Sequence, residues 1–228
     1  MSLVSPPALY DAACRACPRL ADFLGDVRRD HPDYFALPVP PFGSALAAPV
    51  GPRASSQTDL LIVGLAPGMH GANRTGRPFT GDYAGILLYQ TLHRFGFADR
   101  VGTADPQDGL QLLRARLTNA VKCLPPQNKP LPAEMRQCNH FLAAELAHAK
   151  PRAVLALGTV AHQAVLMAAG RKSSAYRFAH GAAHVIAEKG FDFSLFDSYH
   201  CSRYNTNTRR LTSEMFEAVF QSIRAHLG

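Results

Sequence analysis

The segment that most limits the possible folds of this chain is residues 60–82, which read LLIVGLAPGMHGANRTGRPFTGD. A short apolar run, residues 60–63, stops at Gly64 and enters a segment rich in small and polar residues. Such a run predicts a buried strand, and open α/β sheets place ligands in the turns that follow buried strands. The glycines allow the backbone to approach a flat or anionic ligand closely. The segment contains no lysine and no GxxxxGK[ST] pattern, so it is not a P-loop.

Apolar runs alternate with helical patterns along the rest of the chain. We expect strands at residues 59–63, 117–123, 153–157 and 193–198. We expect helices at residues 12–30, 83–97, 132–149, 160–169 and 212–227. Residues 38–52 are too rich in proline and glycine for a regular element, and residues 173–190 are predicted as loop with a possible strand. The alternation predicts an α/β fold with a mostly parallel four-stranded sheet, covered on both faces, and polar loops gathered at one edge.

The length of 228 residues and the hydrophobic content of 47% predict a single folded domain over residues 1–228. No apolar run reaches about 18 residues, so we expect no membrane span. The first residues lack a basic region followed by an apolar core, which predicts no secretory signal and a cytoplasmic location. The net charge of +7 favours a nucleic-acid partner, although such a charge also serves solubility alone.

The chain has five cysteines, and four of them suggest a metal centre rather than disulfides. Cys14 and Cys17 form CxxC, Cys123 follows the second predicted strand, and Cys138 lies in a predicted helix. Four thiolates suit either Zn²⁺ or a [4Fe–4S] cluster. Because Cys123 and Cys138 lie far apart in the sequence, a cluster is favoured, with buried apolar cysteines as the alternative. Cys201 stands apart from the other four.

Two polar features are associated with predicted strands, one after a strand and one within a strand. His200 opens the segment HCSRYNTNTRR, whose hydroxyl, amide and guanidinium groups are able to contact phosphate. Asn119 lies in an otherwise apolar strand, where its amide either bonds to neighbouring backbone or reads the edge of a base. Phe79, in the first glycine-rich segment, either packs in the core or stacks on that base.

The segments GLAPGMHGANRTGRPFTGD, TNAVKCLPPQNKP and SYHCSRYNTNTRRLT resemble the three motif regions of the family 5 (type B) uracil-DNA glycosylases. The CxxC and the two later cysteines match the iron–sulfur ligands of that group, and the resemblance extends over nearly the whole chain. It implies a three-layer α/β/α sandwich and a [4Fe–4S] cluster held by Cys14, Cys17, Cys123 and Cys138. It also implies removal of uracil, and of other deaminated bases such as hypoxanthine and xanthine, from double-stranded DNA by a protein expected to be a monomer.

The resemblance assigns roles to individual residues. Asn119 and His200 are the implied catalytic groups, and Asn73 is a second candidate for placing the attacking water. The residues expected to contact the base are Gly64, Ala66, Gly68, His70, Phe79, Asn119 and His200. The residues expected to contact DNA are Arg74, Lys129, Ser202, Arg203, Tyr204, Asn205, Arg209 and Arg210. Of these, Tyr204 occupies the position from which related enzymes insert a wedge into the duplex.

Ala66 stands where many related glycosylases carry a carboxylate or another polar residue. Its presence agrees with family 5 but removes the obvious base for activating water. We therefore expect stabilisation of the leaving group to carry more of the catalysis. Ala66 also leaves room for an alternative, a non-catalytic iron–sulfur protein that binds DNA or senses redox state. A nucleotide- or small-molecule-binding α/β enzyme and a zinc-containing structural module are further alternatives.

Overall fold

The computed structural model describes residues 9–43, 58–102, 104–188 and 190–228. Their strands are β1 (Phe42–Gly43), β2 (Leu60–Gly64), β3 (Ala115–Asn119), β4 (Ala153–Leu157), β5 (Ala183–Glu188) and β6 (Phe191–Ser198). Their α-helices are α1 (Pro18–Asp30), α2 (Ala72–Thr75), α3 (Tyr83–Arg94), α4 (Pro132–Ala149), α5 (Thr159–Ala168), α6 (Arg203–Asn207) and α7 (Ser213–Leu227). Short 3₁₀ turns cover Pro126–Asn128 and Ser173–Ala175.

The strands form one six-stranded sheet in the order β1-β3-β2-β4-β6-β5. The four inner strands run parallel to one another, and the two edge strands run antiparallel to their neighbours. Gly64 pairs with Asn119, and Leu157 pairs with Ser198, so the inner strands all end at the same edge. This is the edge at which the sequence predicts that the polar loops gather.

Successive residues of the inner strands face opposite helical layers, because side chains alternate across a strand. Leu60 and Ile62 of β2 pack in one core with residues of α3 and α7. Leu61 and Val63 pack in a second core with residues of α4 and α5. Both faces are therefore buried, which explains why β2 reads as a continuous apolar run rather than an alternating one. The three-layer α/β/α prediction is confirmed.

The prediction of four strands is wrong, because the sheet has six. The four predicted strands are its parallel centre, and the missed strands are the antiparallel edges. β1 has only two residues and lies in the region predicted to be irregular, of which residues 44–52 fall outside the described residues. β5 lies within the stretch predicted as loop with a possible strand. It pairs with β6 alone and carries the exposed Val185, so its sequence lacks the apolar run of a buried strand.

Two predicted boundaries differ from the structure by four or more residues. The first helix begins at Pro18 rather than residue 12, because proline favours the first helical position, and Cys17 becomes the N-cap. Cys14 and Cys17 therefore precede the helix instead of lying in its first turns. β3 ends at Asn119, before Lys122 and Cys123, and the following N–H groups of Ala120 and Val121 donate to Gly64 and Leu65 carbonyls.

The bounds predicted for α4 and β4 match the structure. Thr212 caps α7, with its hydroxyl oxygen accepting the Met215 N–H. The polar segment after His200 differs from a simple loop, because it contains the one-turn helix α6. None of the described helices combines the length and the apolar character that crossing a bilayer requires.

A buried charged network fastens β3 to α4. The Glu145 carboxylate accepts from Lys122 Nζ at 2.5 Å and from the Thr118 hydroxyl at 3.0 Å. Arg116 Nε donates to the other Glu145 oxygen at 3.4 Å. All four side chains are buried, so each charge depends on these partners. The network fixes the strand that ends in Asn119.

Candidate active site and cysteine cluster

A cavity of about 430 Å³ opens at the carboxyl edge of the sheet, between the ends of β2, β3 and β6. This volume lies in the usual range of small-molecule sites, about 300–1,000 Å³. The sequence-predicted residues that line it are Ala66, Gly68, Phe79, Asn119, His200, Ser202 and Arg203. The structure therefore brings together side chains from all three motif regions.

Gly64 allows two of these side chains to meet. A Cβ at this position would lie 2.5 Å from Asn119 Oδ1 and 2.5 Å from Phe79 Cζ. Distances below 3 Å do not occur for real Cβ atoms, so only glycine fits without displacing a neighbour. Asn119 is buried, with 5% of the residue exposed. Gly64 thus sets the close approach of the amide and the aromatic ring.

The Phe79 ring is held in a constrained turn. Its φ of 54° lies in the left-handed region, which is unfavourable for a bulky residue and is found where the surroundings hold it in place. The Phe79 carbonyl packs against Gly85 in the first turn of α3, where a Cβ would lie 1.8 Å from the oxygen. The ring centroid is 6.4 Å from that of His200, with the planes inclined by 33°.

Arg77 holds the same turn in place through contacts with Asp108 and Thr80. Its guanidinium makes a bidentate ion pair with Asp108, at 2.7 and 3.0 Å, and its Nε donates to the Thr80 hydroxyl at 2.7 Å. It also lies over the rings of Phe42 and Tyr89, 5.2 and 5.5 Å from their centroids. Arg77 lies in the first motif, but the sequence gives no sign that it is buried.

His200 lies where β6 leaves the sheet. Its backbone carbonyl accepts from Asn205 Nδ2 at 2.8 Å, which ties α6 to the residue. The Ser198 carbonyl accepts the Gly158 N–H at 2.8 Å, which fixes the exit of the strand. Burial lowers the pKa of His200 to about 4, so its imidazole is neutral near pH 7. A neutral imidazole carries one N–H donor.

The sequence analysis missed three polar residues that line the cavity, Asp82, Tyr83 and Asn128. Asp82 supplies the one carboxylate found among the described lining residues. Its Oδ1 caps α3 by accepting the Gly85 N–H at 3.0 Å, and burial raises its pKa, against hydrogen bonds from Gly85 and Ala84 that lower it. The position of Asp82 directly before a helix was a signal of this cap. Asn128 lies in a turn with a φ of 56°, which nothing in the sequence indicated.

Three of the predicted catalytic and base-contacting residues do not line the cavity, namely Gly64, His70 and Asn73. Asn73 is fully buried, and neither its Nδ2 nor its Oδ1 has a hydrogen-bond partner. His70 is exposed, and its Nδ1 lies 2.8 Å from the Tyr34 hydroxyl. The roles of Asn73 in placing water and of His70 in contacting the base remain predictions that this geometry does not favour.

Two of the predicted DNA contacts, Ser202 and Arg203, line the cavity. Tyr204 is exposed, with 72% of its surface accessible. Arg203 lies over the Tyr83 ring at 5.2 Å, and Arg210 lies over the Tyr199 ring at 4.6 Å. The other members of the set make local contacts or are exposed, namely Arg74, Lys129, Ser202, Asn205 and Arg209.

Cys14, Cys17, Cys123 and Cys138 line one small apolar cavity beside α1 and α4. The Lys122 backbone N–H donates to Cys138 Sγ at 3.3 Å. Burial raises the pKa of Cys123 to about 12, with Cys138, Cys14 and Cys17 adding to the shift. The four predicted ligands are therefore together. Cys201 is fully buried elsewhere, in the core between the sheet and α7.

The sulfur spacing distinguishes between the two metal centres. Four thiolates around one zinc, each about 2.3 Å from it, lie about 3.8 Å apart. Across the part of the chain that the structure describes, no three cysteine sulfurs lie within 4.8 Å of one another. A [4Fe–4S] cluster carries each thiolate on a different iron and so separates the sulfurs more widely. The donor set and its spacing fit the cluster better than a single zinc ion.

Comparison with known proteins agrees with this geometry. A family model described as the uracil DNA glycosylase superfamily matches residues 52–224. The chain belongs to the uracil DNA glycosylase superfamily. The matched segment contains the strands and loops that build the cavity, so the family and the geometry point to the same site.

Within the superfamily the chain belongs with the type-5 enzymes. It is 44% identical to the type-5 uracil-DNA glycosylase of Thermus thermophilus over 223 residues, 95% of this chain and 94% of that protein. It is 42% identical to the type-5 enzyme of Mycobacterium bovis over 226 residues, 95% of this chain and 79% of that protein. It is 36% identical to the type-5 enzyme of Pyrobaculum aerophilum over 219 residues, 94% and 89% of the two chains.

Proposed function

We propose that the chain removes uracil from DNA by hydrolysing the bond between the base and deoxyribose, leaving an abasic site. Membership of the superfamily makes the chain an N-glycosylase hydrolase. The observation that carries the detailed proposal is the cavity in which Phe79, Asn119 and His200 meet beside one carboxylate, that of Asp82. Each side chain offers a function that the reaction requires.

The target nucleotide must leave the duplex before its glycosidic bond can be reached. Flipping costs a few kcal/mol, and least at a mismatch such as G·U. The Tyr204 side chain is exposed on α6, and we assign to it the role of filling the gap that the flipped base leaves. Arg203, Arg209 and Arg210 supply charge for the flanking phosphates, which would make binding sensitive to salt.

Phe79 and Asn119 form the base-binding wall. The Phe79 ring offers a flat apolar surface for stacking, and its constrained turn holds it in one orientation. The Asn119 amide offers one acceptor and two donors to the Watson–Crick edge of the base. The same amide can contact hypoxanthine and xanthine, so these deaminated bases belong to the proposed substrate range.

Bond cleavage sends the electron pair of the sugar–base bond to the base. Negative charge then develops on uracil O2, while the sugar becomes oxocarbenium-like. The neutral His200 imidazole donates its one N–H to that oxygen as a hydrogen bond, and no change in its protonation is needed beforehand. Preorganised donors of this kind contribute about 10²–10³ in rate.

Water completes the reaction by adding its oxygen to the sugar carbon. Asp82 accepts a proton from this water, and the Asn128 amide holds it in place, since both residues line the cavity. The proton then passes to the uracil anion or to solvent. We assign this role to Asp82 and Asn128 rather than to Asn73, which lies outside the cavity lining.

The four cysteines would hold a [4Fe–4S] cluster, which would supply a structural cross-link when bound. Cys123 and Cys138 bracket the segment that carries Asn128 and Lys129, so these thiolates would fasten that segment to α1. Arg19 and Glu134, in a bidentate pair with both distances at 2.7 Å, join the same two regions. Cys123 and Cys138 would thereby help to position Asn128 without taking part in bond cleavage.

The test is incubation with a labelled duplex carrying one G·U pair, followed by alkali to cut abasic sites. We expect wild-type cleavage, at least a hundredfold slower reaction in His200→Gln, and no change in the control His93→Gln, which alters an exposed histidine. Duplexes with hypoxanthine or xanthine test the wider substrate range. No cleavage of G·U, of G·hypoxanthine or of single-stranded uracil would contradict the proposal and favour the non-catalytic DNA-binding alternative.

A further inference from the structure

A second cluster of ligand-type side chains lies on the opposite face of β6 from the first core. His162 of α5, His184 of β5 and Asp197 of β6 bring their imidazole and carboxylate atoms within 4.8 Å of one another. None of the three lines the catalytic cavity. His162 and Asp197 are completely or almost completely buried, and the His184 side chain is 17% exposed.

The carboxylate lies between the two imidazoles. Asp197 Oδ1 is 2.8 Å from His162 Nδ1, and Asp197 Oδ2 is 3.3 Å from His184 Nε2. Ligand atoms around a tetrahedral zinc, each about 2.0–2.1 Å from the metal, are separated by about 3.3 Å. The two pairs that involve Asp197 are therefore already near this separation, and all three donors lie within 4.8 Å of one another.

The other nitrogen of His162 is fixed by the backbone. Its Nε2 lies 2.9 Å from the Tyr176 carbonyl oxygen, which can only accept, so this nitrogen carries the hydrogen. Nδ1 then presents its lone pair to Asp197 unless a second proton is added. A histidine whose outer N–H is held by a backbone carbonyl is the usual arrangement of a metal ligand.

A cation is therefore needed between His162 Nδ1 and the buried carboxylate. A proton on Nδ1 would fill this role and make a buried ion pair. A divalent metal would fill it too, and would bind the His184 imidazole as a third ligand in place of a hydrogen bond from His184 Nε2 to Asp197 Oδ2.

We infer that His162, His184 and Asp197 form a zinc site, distinct from the cysteine cluster, with a fourth position open to solvent beside His184. Two imidazoles and one carboxylate are a donor set that suits Zn²⁺. The ion would cross-link α5, β5 and β6 three residues before His200, where the chain leaves the sheet.

The test uses holoprotein with its iron content measured, dialysed against Zn²⁺ and then freed of unbound metal. We expect about one zinc per chain, and zinc-edge X-ray absorption with nitrogen and oxygen at about 2.0–2.1 Å and no sulfur at about 2.3 Å. The zinc-edge X-ray absorption spectrum distinguishes this site from zinc held by the cysteines, because zinc bound to cysteine would show a sulfur shell. His184→Gln changes a partly exposed ligand, so the variant is expected to fold and to bind zinc at least tenfold more weakly.

His148→Gln, which alters an exposed histidine of α4, is the matched control and should bind zinc as the wild type does. Unchanged zinc content in His184→Gln would overturn the assignment. Zinc with only a sulfur shell would also overturn it, because the ion would then be in the cysteine cluster. Failure of the wild type to retain zinc at micromolar concentration would identify the trio as an ion pair closed by a proton.

Discussion

At the scale of single residues, the site depends on His200 keeping a neutral imidazole where the chain leaves β6. In solution an imidazole has a pKa near 6.5 and would be partly charged at neutral pH. Burial lowers the His200 pKa to about 4, which keeps the ring neutral and able to donate one N–H to the leaving base. The depressed pKa is thus a functional property of the packing around the strand exit.

The pH dependence of the reaction tests this point. Because His200 stays neutral above about pH 4, we expect no inflection from its ionisation in single-turnover rates between pH 5 and 8. Burial raises the pKa of Asp82, so we assign any loss of rate on the acid side to protonation of this carboxylate, and Asp82→Asn should remove that loss. An inflection near pH 6.5 that persists in Asp82→Asn would contradict a neutral His200.

The same group links pH to stability. The folded protein resists protonating His200 until about pH 4, whereas the unfolded chain binds that proton near pH 6.5. The unfolded state therefore binds more protons between these values, and its free energy falls relative to the folded state as pH is lowered through the window. The thermal midpoint should fall less steeply there in His200→Gln than in the wild type.

At the scale of elements, much of the fold follows from sequence pattern. The apolar runs of β2 and β4 and the periodicity of α4 and α7 predict these elements, because the spacing of apolar residues is visible within each segment. The edge strands β1 and β5 escape prediction because each has one partner and little buried surface of its own. Of the site, Phe79, Asn119 and His200 carry motif signals, whereas Asp82 and Asn128 reach the cavity only through the meeting of distant segments.

The junction between the Phe79 turn and α3 gives a prediction at this scale. Gly85→Ala places a methyl group against the Phe79 carbonyl, 1.8 Å away before relaxation, so the turn must shift and the ring with it. We expect at least a tenfold loss of glycosylase rate together with a lower thermal midpoint. Both are measured on the G·U duplex and by thermal unfolding.

Gly25→Ala is the matched control, because a Cβ at Gly25 meets nothing within 4 Å and the residue lies inside α1. Alanine there should stabilise the helix by about 0.5–1 kcal/mol and leave the rate unchanged. Equal rates in the two variants would show that the Phe79 turn tolerates displacement and that its left-handed φ is not needed for activity.

At the scale of the whole molecule, the cysteine cluster and the sheet are separate packing units. The four cysteines belong to a small group of buried residues beside α1, while the two large cores lie on either face of the sheet. Loss of the cluster should therefore leave the sheet folded. It should release the segment between Cys123 and Cys138, which brings Asn128 to the cavity.

Cys138→Ser tests this separation. We expect iron to fall from about four atoms per chain to near zero, the thermal midpoint to drop by several degrees, and far-ultraviolet circular dichroism to stay close to that of the wild type. Glycosylase rate should fall in step with iron, because Asn128 loses its support. Cys201→Ala, at a fully buried cysteine outside the cluster, should keep its iron and its visible absorbance. Full activity in an iron-free Cys138→Ser protein would mean that the Asn128 segment is held by the Arg19–Glu134 pair alone, since that pair joins the same two regions.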